Sequence, residues 1–388
     1  VPGLGLGQAL LAIVLGTALG VLLLSLAGVV GSDNAIPTMV LLRPVLGLRG
    51  SYLPTVFNLI QLIGWGSFEI IIMAQAADSI TSRIGFSNYR LWAFAFAAWC
   101  TLLAVGGPLV VVRQWLEKFA IWLVLATTLG VTIYLFANYD VIGLLQEPCS
   151  GGLSFWLAVD LVVAMPISWM PLVADYNRFA RTTRSAFWGT YLGYFIANVW
   201  FYALGALLLL ALGTDDLIAA ILSLTWGWLA LIIILVDETD NAFADIYSAA
   251  VSSQNTLPKV KQWISATAIG AICSILAATV PISQYEGFLL LIGSIFVPLF
   301  GVLAADYFIL RKRRYEVGEL YKPKGRYWYR GGFNIWAGVA WVLGIAIYHA
   351  IAHLWPWLGA SIPGFLSSLL LYLAFSSLTS EASTKERG

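Results

Sequence analysis

The sequence predicts an all-α polytopic membrane protein, and three observations carry that prediction. Hydrophobic residues make up 60% of the 388 residues and charged residues 11%, well under the quarter that soluble domains carry. Eleven apolar stretches, at 4–30, 52–77, 91–111, 119–137, 153–174, 188–212, 217–236, 262–281, 286–310, 334–354 and 357–379, approach or exceed the roughly 20 residues that cross a ~30 Å hydrocarbon core. All but Arg83 and Arg90 of the 21 Lys and Arg residues fall in alternate gaps or in the C-terminal tail. Loops rich in Lys and Arg stay in the cytoplasm, which sets the orientation. The chain thus reads as one transmembrane domain over 1–388, with residues 380–388 a cytoplasmic tail.

The stretch 4–30 follows no charged leader. An odd number of spans with the tail inside leaves Val1 outside, and an external N-terminus of this kind suggests an earlier helix ahead of Val1. In the stretch 52–77 the run Gly64-Trp65-Gly66-Ser67-Phe68-Glu69 places an indole and a carboxyl four residues apart, one above the other on one helix face. An ionisable residue at membrane depth costs several kcal/mol and marks function by default. A ring that stacks on Trp65 and gives N–H groups to Glu69 fits this pair. Packing of Trp65 between helices, with Glu69 bonded to a nearby hydroxyl, is the plainer alternative.

The stretches 91–111 and 119–137 carry no ionisable group in their middles, and 153–174 carries Asp160 and the run Met165-Pro166-Ile167-Ser168-Trp169-Met170-Pro171. Two prolines five apart remove backbone donors and break a helix. Broken backbone at membrane depth is tolerated where it is buried in protein or lines a cavity, as at transporter binding sites. Ser168 and Trp169 sit inside the expected break. The segment from Asp175 to Arg181 reads as a cytoplasmic loop ordered by Asp–Arg pairing. The stretch 217–236 runs into Asp237-Glu238-Thr239-Asp240-Asn241-Ala242-Phe243-Ala244-Asp245. Asp237, Asp240 or Asn241, and Ala244 or Asp245 would share a stripe whose oxygens suit Na⁺ or a proton relay. The alternative ends the span near 236 and leaves the cluster solvated.

Later stretches add less. Glu286 and Asp306 stand near the ends of 286–310, and Asp306 precedes the run Arg311 to Arg314, as suits a charge at the interface. His349 and His353 share a helix face, but no carboxylate or thiol accompanies them as a ligand. Cys100, Cys149 and Cys273 read as packing residues. Trp and Tyr at stretch ends, such as Trp115, Trp188, Trp263, Trp355 and Trp357, suit the membrane interface. No phosphate-binding lysine loop and no nucleophile or metal constellation is visible, so neither an ATP-driven pump nor an enzyme is expected, and no nucleic-acid partner.

At these residues the chain resembles the nucleobase:cation symporter-1 family over essentially its full length. The resemblance rests on Gly64-Trp65 with Glu69, on Ser168-Trp169-Met170-Pro171 with Asp175-Tyr176-Asn177-Arg178-Phe179, and on Gly293-Ser294-Ile295-Phe296-Val297-Pro298 with Asp306-Tyr307. The runs from Asp237 and from Gln284 to Leu289 look most like hydroxymethylpyrimidine permeases, which take up a thiamine precursor. The resemblance implies a LeuT-like fold of twelve helices with inverted repeats, the eleven stretches being helices two to twelve. It implies a small heterocyclic substrate stacked between Trp65 and Trp169, with Glu69 where the family usually has Gln, and Ser168 beside them. It implies a coupling ion, Na⁺ or H⁺, near Asp237, Thr239, Asp240 and Asn241, and no other cofactor. A chain lacking the first helix would lack half of that ion site, and as written is expected not to transport. An amino-acid or amine symporter of the same fold and a non-transporting membrane receptor are the alternatives.

Overall fold

The computed structural model describes residues 3–107, 118–119, 121–146, 151–213, 217–224, 227–280 and 285–385. Trp115, Cys149 and Gln284 lie outside the described residues, as does the side chain of Glu286. The long helices are α1 (Leu6–Asn34), α2 (Tyr52–Thr81), α3 (Tyr89–Gly106), α4 (Ile121–Asn138), α5 (Phe155–Ser168), α6 (Met170–Asn177), α7 (Thr183–Leu212), α8 (Gly227–Ser253), α9 (Gln262–Thr279), α10 (Tyr285–Ala304), α11 (Ile335–Leu354) and α12 (Ser361–Lys385). Among the described residues eight helices are long and apolar enough to cross a membrane, nine if the bent pair α5–α6 is one span. The other two expected stretches correspond to α8, which carries four carboxylates, and to α12, apolar over Ser361–Ser377.

The seventh stretch needs correction. It does not end near 236: Leu217–Ser223 is a separate short helix, and α8 runs unbroken from Gly227 to Ser253. The acidic cluster therefore lies in the middle of a helix, and every residue from Ala242 to Ser253 is buried. Hydropathy placed the end of the span at the first carboxylate, whereas small residues such as Ala242, Ala244, Ala249 and Ala250 carry the helix through the protein interior.

Two bodies pack side by side. In one, α8 lies along α2, α3 lies along α9, and a shared core includes Leu62, Ile70, Met73, Phe243 and Ile246. In the other, α1 lies along α5, α6 and α7. A stripe of glycines on α1 makes that possible. A Cβ at Gly16 would meet Val159 and Val162, one at Gly20 would meet Pro166 and Val163, and one at Gly31 would meet Ala174. Small residues at such spacing let backbones approach in membranes, where lipid gives no hydrophobic drive between helices. The helices α10, α11 and α12 pack on one another, and their core continues through Phe296, Phe300 and Trp341 to α1 and α5.

The break between α5 and α6 is a bend of 40°. Pro171 has no N–H to give to Ile167 O, and the Leu172 N–H turns to Trp169 O at 3.1 Å. Elsewhere carboxylates are tied into the frame. Asp160 on α5 accepts from the N–H groups of Ala360 and Ser361, both at 2.9 Å, at the start of α12, a cap that also suits the helix dipole. Asp306 is 1% exposed and accepts from Arg311 Nε at 2.9 Å, Tyr315 at 2.8 Å and Tyr372 at 3.0 Å. The expected Asp175–Arg178 pairing is not present. Asp175 is buried and accepts from the Thr38 N–H at 3.0 Å, while Arg178 donates to Asp175 O at 3.2 Å and to the Tyr247 hydroxyl at 3.2 Å. Between the spans, burial lowers the Arg43 guanidinium from its usual range, and its Nε donates to Asn255 Oδ1 at 2.8 Å, fastening that connection to the segment after α8.

Candidate functional site

The residues that the break, α2 and α8 aim inward meet at one small cavity of about 40 Å³, lined by Trp65, Glu69, Met165, Ser168, Trp169, Leu172, Asn241 and Asp245. From α2 come Trp65 and Glu69, one turn apart. Trp65 meets Phe68 edge-on at 5.7 Å, and its Nε1 is buried with no hydrogen-bond partner. At the break, Trp169 packs edge-on against Tyr194 of α7, with centroids 6.4 Å apart. Two indoles, one from α2 and one from the break, thus line the cavity, and one brings an unused donor.

Between the walls the floor is acidic. Glu69 stands beside Glu238, with Asp245 and Asp237 also near. Asp245 lines the cavity although it is only 5% exposed. A Cβ at Gly66 would stand in ordinary contact 3.5 Å from Asp245 Cβ and 3.4 Å from Cys273 Sγ, so α8 and α9 both pack on α2 at this level.

The structure brings together five of the eight residues expected from the sequence: Trp65, Glu69, Ser168, Trp169 and Asn241. The Ser168 hydroxyl donates to Met165 O at 2.7 Å, so it is engaged with its own helix. Thr239 is not brought to the cavity. Its hydroxyl donates to Leu235 O at 2.7 Å and lies 3.8 Å from Met73 Sδ, on the side facing α2 and α3. Asp237 lines a second, larger cavity among α2, α4, α7 and α8 together with Glu238, and Asp240 lines neither of these two. The expected stripe allowed Asp240 or Asn241 and Ala244 or Asp245; of these Asn241 and Asp245 line the cavity, and Asp237 does not. The face turned to Glu69 carries Glu238, Asn241 and Asp245, at i, i+3 and i+7.

Sequence reasoning also passed over Gln61 and Asn58. Gln61 stands one turn before Trp65 on α2, is 1% exposed, and donates to Ser168 O at 2.8 Å. Asn58 donates to Ser252 Oγ at 2.9 Å and to Pro171 O at 3.4 Å. The repeat Gln61, Trp65, Glu69 at every fourth residue was the available signal.

Comparison with known proteins fits this geometry. The family model described as "Permease for cytosine/purines, uracil, thiamine, allantoin" matches residues 1–371. The chain belongs to this permease family. The hydantoin permease of Microbacterium maritypicum is 26% identical over 398 aligned positions, covering 94% of this chain and 78% of that protein. The cytosine permease of Escherichia coli K12 is 24% identical, covering 98% and 87%. Among solved structures, Mhp1, a nucleobase-cation-symport-1 family transporter in a closed conformation with bromovinylhydantoin bound, superposes with a TM-score of 0.87 at 23% identity, over 98% of this chain and 87% of that one. A Na⁺-coupled sialic acid symporter superposes with a TM-score of 0.62 at 12% identity, over 97% and 90%. The permease fold is therefore LeuT-like, the protein is a multi-pass membrane transporter, and it is not an enzyme.

Proposed function

We propose that this permease is a secondary active transporter that imports a pyrimidine-type base across the cell membrane, coupled to Na⁺ or H⁺, with its C-terminal tail in the cytoplasm. Hydroxymethylpyrimidine and cytosine are the substrates to test first. The observation that carries the reading is the convergence of Trp65, Trp169 and Glu69 on one cavity at a helix break. The base would lie between the two indoles and give its N–H edge to Glu69. The oxygen-rich turn from Asp237 to Asn241 on α8 is where the coupling ion would be held. Rocking of α1, α5, α6 and α7 against α2, α3, α8 and α9 would expose the cavity to each side in turn.

The test is a competition uptake assay on the complete gene with hydroxymethylpyrimidine, cytosine and hypoxanthine at varied Na⁺ and pH, joined to binding by Trp65→Ala and Glu69→Gln. Loss of the stacking wall should weaken binding about tenfold or more, since ring–ring contacts are worth about 0.5–1.5 kcal/mol beyond the buried area. Unchanged binding in both variants, or competition by amino acids and not by bases, refutes the assignment.

A further inference from the structure

The polar wall of the cavity is unusual in its sign. Among the described residues lining it there is no Lys, Arg or His, while two carboxyl groups, Glu69 on α2 and Asp245 on α8, both face in. Asp245 is 5% exposed and accepts no hydrogen bond from any described residue. Glu238 stands behind Glu69, and its Oε2 is buried with no partner. The other groups near Asp245 are the Cys273 thiol of α9 and the Tyr176 hydroxyl of α6, neither of them a cation. A buried acceptor left without a donor costs about 1–3 kcal/mol, and more when charged.

The occupant that relieves this wall must bring donors, and preferably positive charge. A carbonyl oxygen placed against either carboxyl would set acceptor against acceptor. A neutral aminopyrimidine offers its amine to one carboxyl but turns an acceptor nitrogen toward the other. An amine beside a protonated ring nitrogen offers both donors and a compensating charge. We infer that the cavity selects a flat heterocycle with such an amidinium edge, held between Glu69 and Asp245, and that Asp245 is the residue that discriminates amino-substituted from oxo-substituted bases. This rests on the reading of the cavity as the base site.

The experiment is equilibrium competition on the purified full-length permease with two matched pairs: cytosine against uracil, and benzamidine, a flat cation with an amidinium edge, against benzamide. The donor-rich member of each pair should bind at least tenfold more tightly, because a site built around polar partners rejects the analogue that leaves them unpaired. Asp245→Asn should lower that ratio about tenfold or more. Should Asp245→Asn fail to fold, Glu69→Gln carries the same comparison, and the unmodified protein alone must still discriminate within each pair. Equal binding of both members, or a ratio unmoved by Asp245→Asn in folded protein, overturns the inference. Trp65→Ala separates it from the underlying reading. If that change weakens all four ligands while the ratio ignores Asp245, only the edge selection falls; if it weakens none, the base site itself is wrong.

Discussion

Replacing Gln61 by Leu tests whether a polar clamp beneath the cavity holds one side of the permease shut. Gln61 is 1% exposed and its amide donates at 2.8 Å to Ser168 O, at the point where the broken helix stops satisfying itself. Around it Asn58 reaches Pro171 O at 3.4 Å, the Tyr176 hydroxyl reaches Ala244 O at 3.3 Å, and Arg178 reaches the Tyr247 hydroxyl at 3.2 Å. These contacts join α5 and α6 to α2 and α8 on the α6 side of the cavity. Leucine keeps the bulk and removes the donor. Stranding a buried carbonyl costs about 1–3 kcal/mol. Removing the Gln61 Oε1, itself buried without a partner, offsets part of that. A net loss of about 1 kcal/mol from the clamped state moves the equilibrium about fivefold toward opening.

The readout is thiol labelling. Leu172 lines the cavity and is 2% exposed, so a cysteine placed there, with Cys100, Cys149 and Cys273 replaced by Ala, reports opening of the α6 side. Labelling by a membrane-impermeant reagent applied to that side should run about fivefold faster with Gln61→Leu. Equal or slower labelling refutes the clamp.

Three further outcomes concern the frame. Asp160→Ala removes two charge-assisted bonds of 2.9 Å each to the first turn of α12; at about 1.5–3 kcal/mol per bond, reduced by water at a half-buried site, the loss should be about 2–3 kcal/mol in thermal or denaturant unfolding, with ligand binding retained in folded protein. Asp306→Ala should cost about 3–5 kcal/mol because it strands Arg311 and two tyrosines. Arg313→Gln should cost under about 1 kcal/mol, since that side chain is 49% exposed in its pair with Asp33.

Much of this architecture is legible in the sequence because membrane insertion constrains it so strongly. Apolar length marks the spans, and the two prolines around Ser168 and Trp169 mark the break. Trp65 and Glu69 stand out because an indole and a carboxyl one turn apart inside an apolar run have few structural uses. The errors have a common cause. Hydropathy cannot follow α8 past Asp237, where one face is acidic and the other is small. It also gives no rotation there, so Asp240 or Asn241 and Ala244 or Asp245 stayed open on the stripe, where Asn241 and Asp245 line the cavity and Glu238, not Asp237, stands beside Glu69. Partners distant in the chain were equally hidden. Asp160 and Ser361 are 201 residues apart, and the Asp175 carboxyl turns to Thr38, 137 residues away, in preference to its neighbour Arg178.

The distribution of carboxylates then makes its own argument for where function lies. Burying an acid is costly, and the fold answers that cost in most places with a fixed partner. Asp160 has two N–H groups, and Asp306 has a guanidinium and two hydroxyls. Each is thereby accounted for by architecture alone. Glu69, Glu238 and Asp245 are not: Glu69 and Glu238 stand beside each other, and Asp245 faces only the cavity. A frame that ties down Asp160 and Asp306 and leaves this group open beside a cavity points to something outside the chain that completes it. That incompleteness at α2 and α8, more than the size of the cavity, is what distinguishes a binding site from a packing defect.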